Sequence, residues 1–348
     1  MPSTFAEASA GFAVPASIHQ LGDAVDCHER APGQAPLFIC CREGGPLAGR
    51  QAFLDWVRAS RPALDRLIVA HGGIVLRGFP LVETEDFGAL TALFPQFSGS
   101  YEGGRAPRKA IQGQVMESTR LASSVRLAIH SEMAYMRDYP RRIAFFSRQT
   151  APEGGETIIG DMRGFVAAMP AAIRDKLEQL GTRMTRNFGP PSQALDDSYA
   201  DMDQRGWNQA FFTEERAEVE RICAAKDLQP LWHDDGSLTV FNDLEPFVTH
   251  PVTGQTLYRS VIHMRPQVED AARSQAYRQH QKYQTGASLG NRERLNAEEV
   301  AQMEALCDRF THQWPWQDGD VMVLDNLQVW HGRNPYRGPR EVQVALLD

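Results

Sequence analysis

Apolar residues in this chain fall in short, strand-length runs at both ends, with long helical patterns between them. Ile74–Leu76, Val125–Ile129, Ile143–Ser147, Thr157–Ile159 and Ser237–Phe241 are bounded by turn signals, and Asp320–Leu324 and Glu341–Leu347 close the sequence. A β core must therefore be assembled from segments far apart in sequence. Helical periodicity marks Phe53 to Ile68, which Pro62 is expected to break in two, with Gly72 and Gly73 ending it. Further helices are expected at Glu83–Leu93, Phe165–Leu180, Thr213–Lys226, Pro266–Gln284 and Ala297–Gln313. Strands from both ends around intervening helices are compatible with a jelly roll, although periodicity alone does not establish its closure.

At 348 residues the chain is long enough for one elaborated domain, and 42% hydrophobic with 23% charged residues is ordinary for a folded protein. The expectation is a single domain over 1–348, with an N-terminal extension to about residue 50 and helical insertions at about 195–315. A net charge of -8 without a basic run argues against nucleic acid. No apolar stretch is long enough to span a membrane and residues 1–16 lack signal-peptide character, so a cytoplasmic location is expected. Cys27, Cys40, Cys41, Cys223 and Cys307 are odd in number, scattered and free of a CxxC pair, which disfavours a disulfide framework or zinc site.

His130 and Glu132, two apart at the end of a strand-like run, are expected to share one face of an extended strand and aim a nitrogen and a carboxylate at one ion. A third ligand would complete a two-histidine, one-carboxylate site with open positions. Spacing alone is weak: ten histidines and 44 acidic residues predict about 1.3 such pairs by composition, and the chain has two. The other, His233 with Asp235 in His-Asp-Asp-Gly, reads as a solvated turn.

Context separates the pairs. His130-Ser-Glu-Met-Ala-Tyr135, Tyr139-Pro-Arg-Arg-Ile-Ala-Phe-Phe146, Ala151-Pro-Glu-Gly-Gly-Glu-Thr157 and Asp325-Asn-Leu-Gln-Val-Trp-His-Gly-Arg333 through Arg340 resemble the TauD/TfdA superfamily of Fe(II)/2-oxoglutarate dioxygenases, most of all its SyrP-type and clavaminate synthase branch. Weaker similarity runs through Gly72–Pro80 and Thr249–Gly254. The resemblance implies an α+β fold with a double-stranded β-helix, or jelly-roll, core carrying flanking helices and helical insertions. It implies His130, Glu132 and His331 as iron ligands, with 2-oxoglutarate and O2 as cosubstrates.

The distal carboxylate of 2-oxoglutarate needs a cationic anchor, and Arg333, Arg337 and Arg340 all follow His331. Arg340 shares strand parity with Val342, Val344 and Leu346, and the family motif selects it too. The same motif implies Thr157 as a second anchor and marks Arg142 as a recurrent position with a structural alternative. Arg126 and Ser260 are candidate substrate-binding residues, Arg126 because strand parity could turn it inward, with a surface or structural arginine as the favoured alternative. After Thr249–Gly254, family members often carry a Trp-Phe-Asn-Gln-like segment, whereas this chain has Tyr258-Arg259-Ser260-Val261.

The implied reaction couples oxidative decarboxylation of 2-oxoglutarate to hydroxylation of an unactivated carbon in specialised metabolism. The implied substrate is an amino acid or its derivative, free or loaded on a peptidyl carrier protein. Retention of Glu132 argues against halogenation, while desaturation and epoxidation stay open. A noncatalytic jelly-roll binding or sensory protein and a metal-dependent hydrolase are the rival classes. The acidic segment 196–203 reads equally as a mobile cover or a solvated connection. Oligomeric state is not legible.

Overall fold

The computed structural model describes residues 14–104, 110–118, 122–191, 206–264, 283 and 285–348. The helix expected at 266–284, apart from Tyr283, and the segment 196–203 lie outside them.

An eight-stranded sheet runs in the order Val25–His28, Leu37–Cys41, Gly73–Arg77, Val321–Asp325, Arg142–Gln149, Glu341–Leu347, Val115–Glu117, Ala110–Gln112. A four-stranded sheet runs Thr311–His312, Thr157–Asp161, Val329–Arg333, Leu127–His130. Segments from both ends of the chain thus meet in one sheet, and the first strands lie within the expected N-terminal extension.

Alternation along the strands distributes side chains between layers. Ile143, Phe145, Met322, Leu324, Val342 and Val344 pack with Ile159 and Val329 of the smaller sheet in the central core. Their neighbours Ala144, Phe146, Val321, Val323 and Ala345 turn the other way, onto the helices Arg50–His71 and Thr84–Thr91. On the far side, Ile129, Ile158 and Trp330 pack against Phe165, Ile173, Leu177, Met303 and Leu306 of the outer helices. Helices therefore cover both outer faces, and the space between the sheets is walled by apolar residues.

Pro62 does not split its helix, which is continuous from Arg50 to His71. The residue is exposed, as is Arg58, whose carbonyl loses its partner and is left to water. The inward face, including Phe53, Val57, Leu64, Leu67 and Ile68, is fully buried, at about 1.5–3 kcal/mol per large side chain. That burial outweighs one lost bond. The expected 165–180 helix is two, Phe165–Ala168 and Ala171–Leu180, because Met169 before Pro170 is driven to ψ 136°.

The 195–315 insertion is not all helical. Gln229–Trp232, Leu238–Leu244, Thr182–Phe188 and Gly286–Leu289 form a third sheet, whose Phe188, Leu238 and Val240 pack with Trp207, Phe211 and Val219 of the helices Trp207–Phe211 and Arg216–Ala225. Strand pairing gives this segment a second layer on which its helices bury their apolar sides. No helix among the described residues is long and apolar enough to cross a membrane.

Candidate metal centre

His130 ends the Leu127–His130 strand and stands directly opposite His331 on Val329–Arg333. Gly332 permits this approach: a Cβ there would meet the Leu127 carbonyl oxygen at 2.4 Å. The two imidazole centroids are 4.5 Å apart, and Phe145 packs 4.9 Å from the His331 ring. Trp330 faces the opposite side, buried in the outer core, so strand parity aims His331 into the space between the sheets.

Glu132 joins them by a different route from the one expected. The strand stops at His130, and Glu132 lies in the turn that follows, where Ala134 N donates to Ser131 O and Met133 has φ 55°. The shared-face argument therefore fails, because the strand ends before Glu132. Asn326 supplies the missing ladder: its Oδ1 accepts from Glu132 N at 2.8 Å, and its Nδ2 donates to Glu132 O at 3.1 Å and Pro140 O at 2.8 Å. Ser131 Oγ donates to Asn326 O at 2.8 Å.

Asn326 is itself held in a built turn. Asp325 Oδ1 accepts from Leu327 N and Gln328 N, and its Oδ2 accepts from His250 Nε2 at 2.9 Å. His250 Nδ1 accepts from Val252 N and Thr253 N, which leaves the proton on Nε2. The Thr249–Gly254 segment thus buttresses the turn preceding His331.

One ligand atom from each of His130, Glu132 and His331 lies within 4.8 Å of the other two. Glu132 and His331 are buried, and Glu132 Oε2 lies 3.6 Å from His331 Nε2, too far for a hydrogen bond and suited to sharing an ion. Ala128 O accepts from His130 Nδ1 at 2.9 Å, so the neutral ring carries its lone pair on Nε2, the form a metal requires. Tyr101 Oη donates to Glu132 Oε1 at 3.1 Å. Two imidazoles and one carboxylate brought together in this way fit a divalent first-row metal and leave coordination positions open.

Of the three arginines after His331, Arg340 lines a cavity. The cavity measures about 190 Å³, and Ser147, Thr150, Glu156, Trp316 and Val342 also border it. Arg340 Nε donates to Gly155 O at 2.9 Å, and no carboxylate pairs with the guanidinium among the described residues. Burial, then the neighbouring Arg333 cation, push its pKa down to about 10, still well above neutrality. Ser147 Oγ and Trp316 Nε1 are buried without hydrogen-bond partners. Gly155, at φ 77°, lets the chain pass close to Arg340, whose Cδ would lie 3.0 Å from an added Cβ. Thr157 begins its strand two residues later, buried opposite Arg333.

Arg333 donates to Ala122 O and Val125 O, and Arg337 is exposed beside Glu153. Arg142 pairs with Asp65, tying the sheet to the Arg50–His71 helix. Arg126 does not face inward: it precedes the strand, is exposed, and lies 3.7 Å from Asp308 on an outer helix. Parity fails there because no ladder holds it. Ser260 is buried and its Oγ accepts from Ile262 N at 3.3 Å. His233 and Asp235 occupy a turn, with Gly236 N donating to His233 O. Asn326 and Arg259 were missed by the sequence reading, although Asn326 lies inside the Asp325–Arg333 motif and Arg259 in the departing segment.

Residues 46–346 match the profile of the family described as taurine catabolism dioxygenase TauD, TfdA family. The dapdiamide synthesis protein DdaC of Enterobacter agglomerans is 29% identical over 293 residues, 83% of this chain and 86% of that protein. A clavaminate synthase-like protein of Arabidopsis thaliana is 24% identical over 307 residues, 86% of this chain and 89% of that protein. The crystal structure of AAD-2 in complex with Mn(II) and N-oxalylglycine shares the fold at a TM-score of 0.50 and 14% identity, covering 93% of this chain and 96% of that one. The profile match takes in the four-stranded sheet and the residues of the candidate metal centre, and the chain belongs to the TauD/TfdA family as an Fe(II)/2-oxoglutarate-dependent dioxygenase.

Proposed function

We propose that the protein hydroxylates an unactivated carbon of an amino acid or amino-acid derivative in specialised metabolism, with His130, Glu132 and His331 as iron ligands and Arg340 and Thr157 as the 2-oxoglutarate anchor. The observation that carries the reading is the three-residue cluster of half-buried His130 with buried Glu132 and His331, accompanied by a cavity that Arg340 borders. In this reading the eight- and four-stranded sheets are the two halves of one jelly roll, and the whole chain is a single oxygenase domain. The relative named for dapdiamide synthesis supports a biosynthetic role. The substrate is a small molecule, free or presented by a peptidyl carrier protein. Five free cysteines suit a cytoplasmic setting.

Iron, when bound with 2-oxoglutarate and O2, supplies the oxidising chemistry. The chain's residues bind and orient. Arg340 offers its Nη atoms to a carboxylate in paired, charge-assisted bonds, and the carbonyl of Gly155 fixes the direction of the guanidinium. Thr157, two residues after Gly155 and buried, offers a hydroxyl in this reading. Phe145 holds the His331 ring, and the apolar walls between the sheets keep water from the reacting carbon.

Anaerobic titration of the apo-protein with Fe(II) and 2-oxoglutarate tests the assignment. A saturable visible charge-transfer band, diminished by His331→Ala and by Arg340→Ala, is the expected result. Absence of the band in folded protein overturns the cosubstrate complex and brings forward the noncatalytic or hydrolytic alternatives.

A further inference from the structure

The Tyr258–Val261 segment, which the sequence resemblance singled out, has a defined place in the structure. Arg259 follows the Thr256–Tyr258 strand and is 4% exposed. Its Nη2 donates to Met133 O at 2.8 Å and to Met136 O at 2.7 Å, and its guanidinium carbon sits 3.6 Å from the centroid of the Tyr139 ring. Met133 and Met136 belong to the turn that carries Glu132, and Tyr139 follows it directly. Among the described residues no carboxylate pairs with Arg259, so the two carbonyls take the role of its counter-charge.

Met133, the residue after Glu132, has φ 55°. A methionine occupies that left-handed region only where its surroundings hold it. Its carbonyl is one of the two that Arg259 grips. Asn326 fixes the Glu132 peptide from one side and Arg259 fixes the next peptide from another, so the carboxylate is aimed by two buried side chains from separate elements.

We infer that Arg259 is a positioning residue for the metal-binding carboxylate, holding the 133–136 turn so that Glu132 faces His130 and His331. The inference rests on the three-ligand reading above. Its specific content is that loss of the guanidinium misdirects Glu132 rather than merely loosening the fold.

The test is Co(II) binding to metal-free protein, followed by the visible ligand-field spectrum alongside thermal melting. Arg259→Met keeps an unbranched apolar stem and removes the guanidinium donors, whereas Arg259→Lys keeps a cation. Phe53→Leu, in the core beneath the outer helix, is a destabilised control remote from the site. Arg259→Met is expected to weaken Co(II) binding about 10- to 100-fold and alter the spectrum, as losses of ligand-orienting partners do. Arg259→Lys is expected to restore part of the affinity, and Phe53→Leu to melt earlier with affinity unchanged. Co(II) affinity and spectrum matching the parent in Arg259→Met or, should that variant not fold, in Arg259→Lys would overturn the inference while His331→Ala still abolishes binding. Parent-like binding by His331→Ala would instead remove the three-ligand reading, and this inference with it.

Discussion

Replacing Asn326 with leucine isolates how much of the metal centre depends on one buried amide. The side chain is fully buried, and its removal leaves the Glu132 N–H, the Glu132 carbonyl and the Pro140 carbonyl without the partners they have now. Ser131 keeps its bond to the Asn326 backbone, which leucine preserves. Each stranded buried group costs about 1–3 kcal/mol, so with partial relaxation the loss is about 3–6 kcal/mol. Leucine, close in volume, adds little cavity penalty, which makes hydrogen bonding the dominant contribution. Urea denaturation of the metal-free protein measures it, and Co(II) titration of the folded variant measures the accompanying loss of affinity, expected at about 10-fold or more. A variant within 1 kcal/mol of the parent, or one binding metal as the parent does, would refute the claim that Asn326 stands in for a strand ladder.

Arg340→Lys keeps the charge and loses the fork, and should raise the KM for 2-oxoglutarate about 10- to 100-fold, the equivalent of about 1.5–3 kcal/mol, while kcat at saturation falls less. An unchanged KM in steady-state oxygen consumption would exclude Arg340 as the anchor. His263 is fully buried, and desolvation pushes its pKa down to about 4 from the ordinary 6.5. Its neutral form is therefore favoured on folding, and the unfolded chain binds the extra proton as pH falls below 6.5. Stability is intact above that pH and is lost down to about pH 4, by about 2 kcal/mol at pH 5. The difference in unfolding free energy between pH 7 and pH 5 should shrink in His263→Gln, and an identical pH dependence in both proteins would contradict this.

Legibility in the sequence followed the range of the interactions involved. Arg340 was selected by strand parity and motif together, and Val342 and Val344 do turn into the central core while Ala345 and Leu347 turn outward. Parity holds from Val342 to Leu347, which pair in register with Ser147–Arg142, whereas Arg340 stands before the strand, beyond a register shift between Glu341 and Val342. It fails at Arg126 and Glu132, which stand just beyond the two ends of a four-residue strand, where no ladder constrains the backbone. Pro62 was misread because its lost bond faces solvent while a buried face holds the helix. Within the 195–315 insertion the strand expected at Ser237–Phe241 is present as Leu238–Leu244, whereas its neighbours were not legible because pairs such as Thr182 and Leu244 lie far apart in sequence.

The sequence by itself determined the chemical inventory: two histidines and a carboxylate, a cationic anchor, and strand-length apolar runs at both ends of the chain. Those are properties of residue type and local order, and they survive without knowledge of which strand meets which. Only the tertiary structure decided that His331 would stand opposite His130, that Glu132 would arrive on a turn gripped by Asn326 and Arg259, and that the Gly155 carbonyl would hold Arg340 at the border of a cavity. Each depends on contacts between segments distant in sequence, where cross-strand register and the hydrogen-bonding needs of buried peptide groups fix geometry that no local pattern encodes.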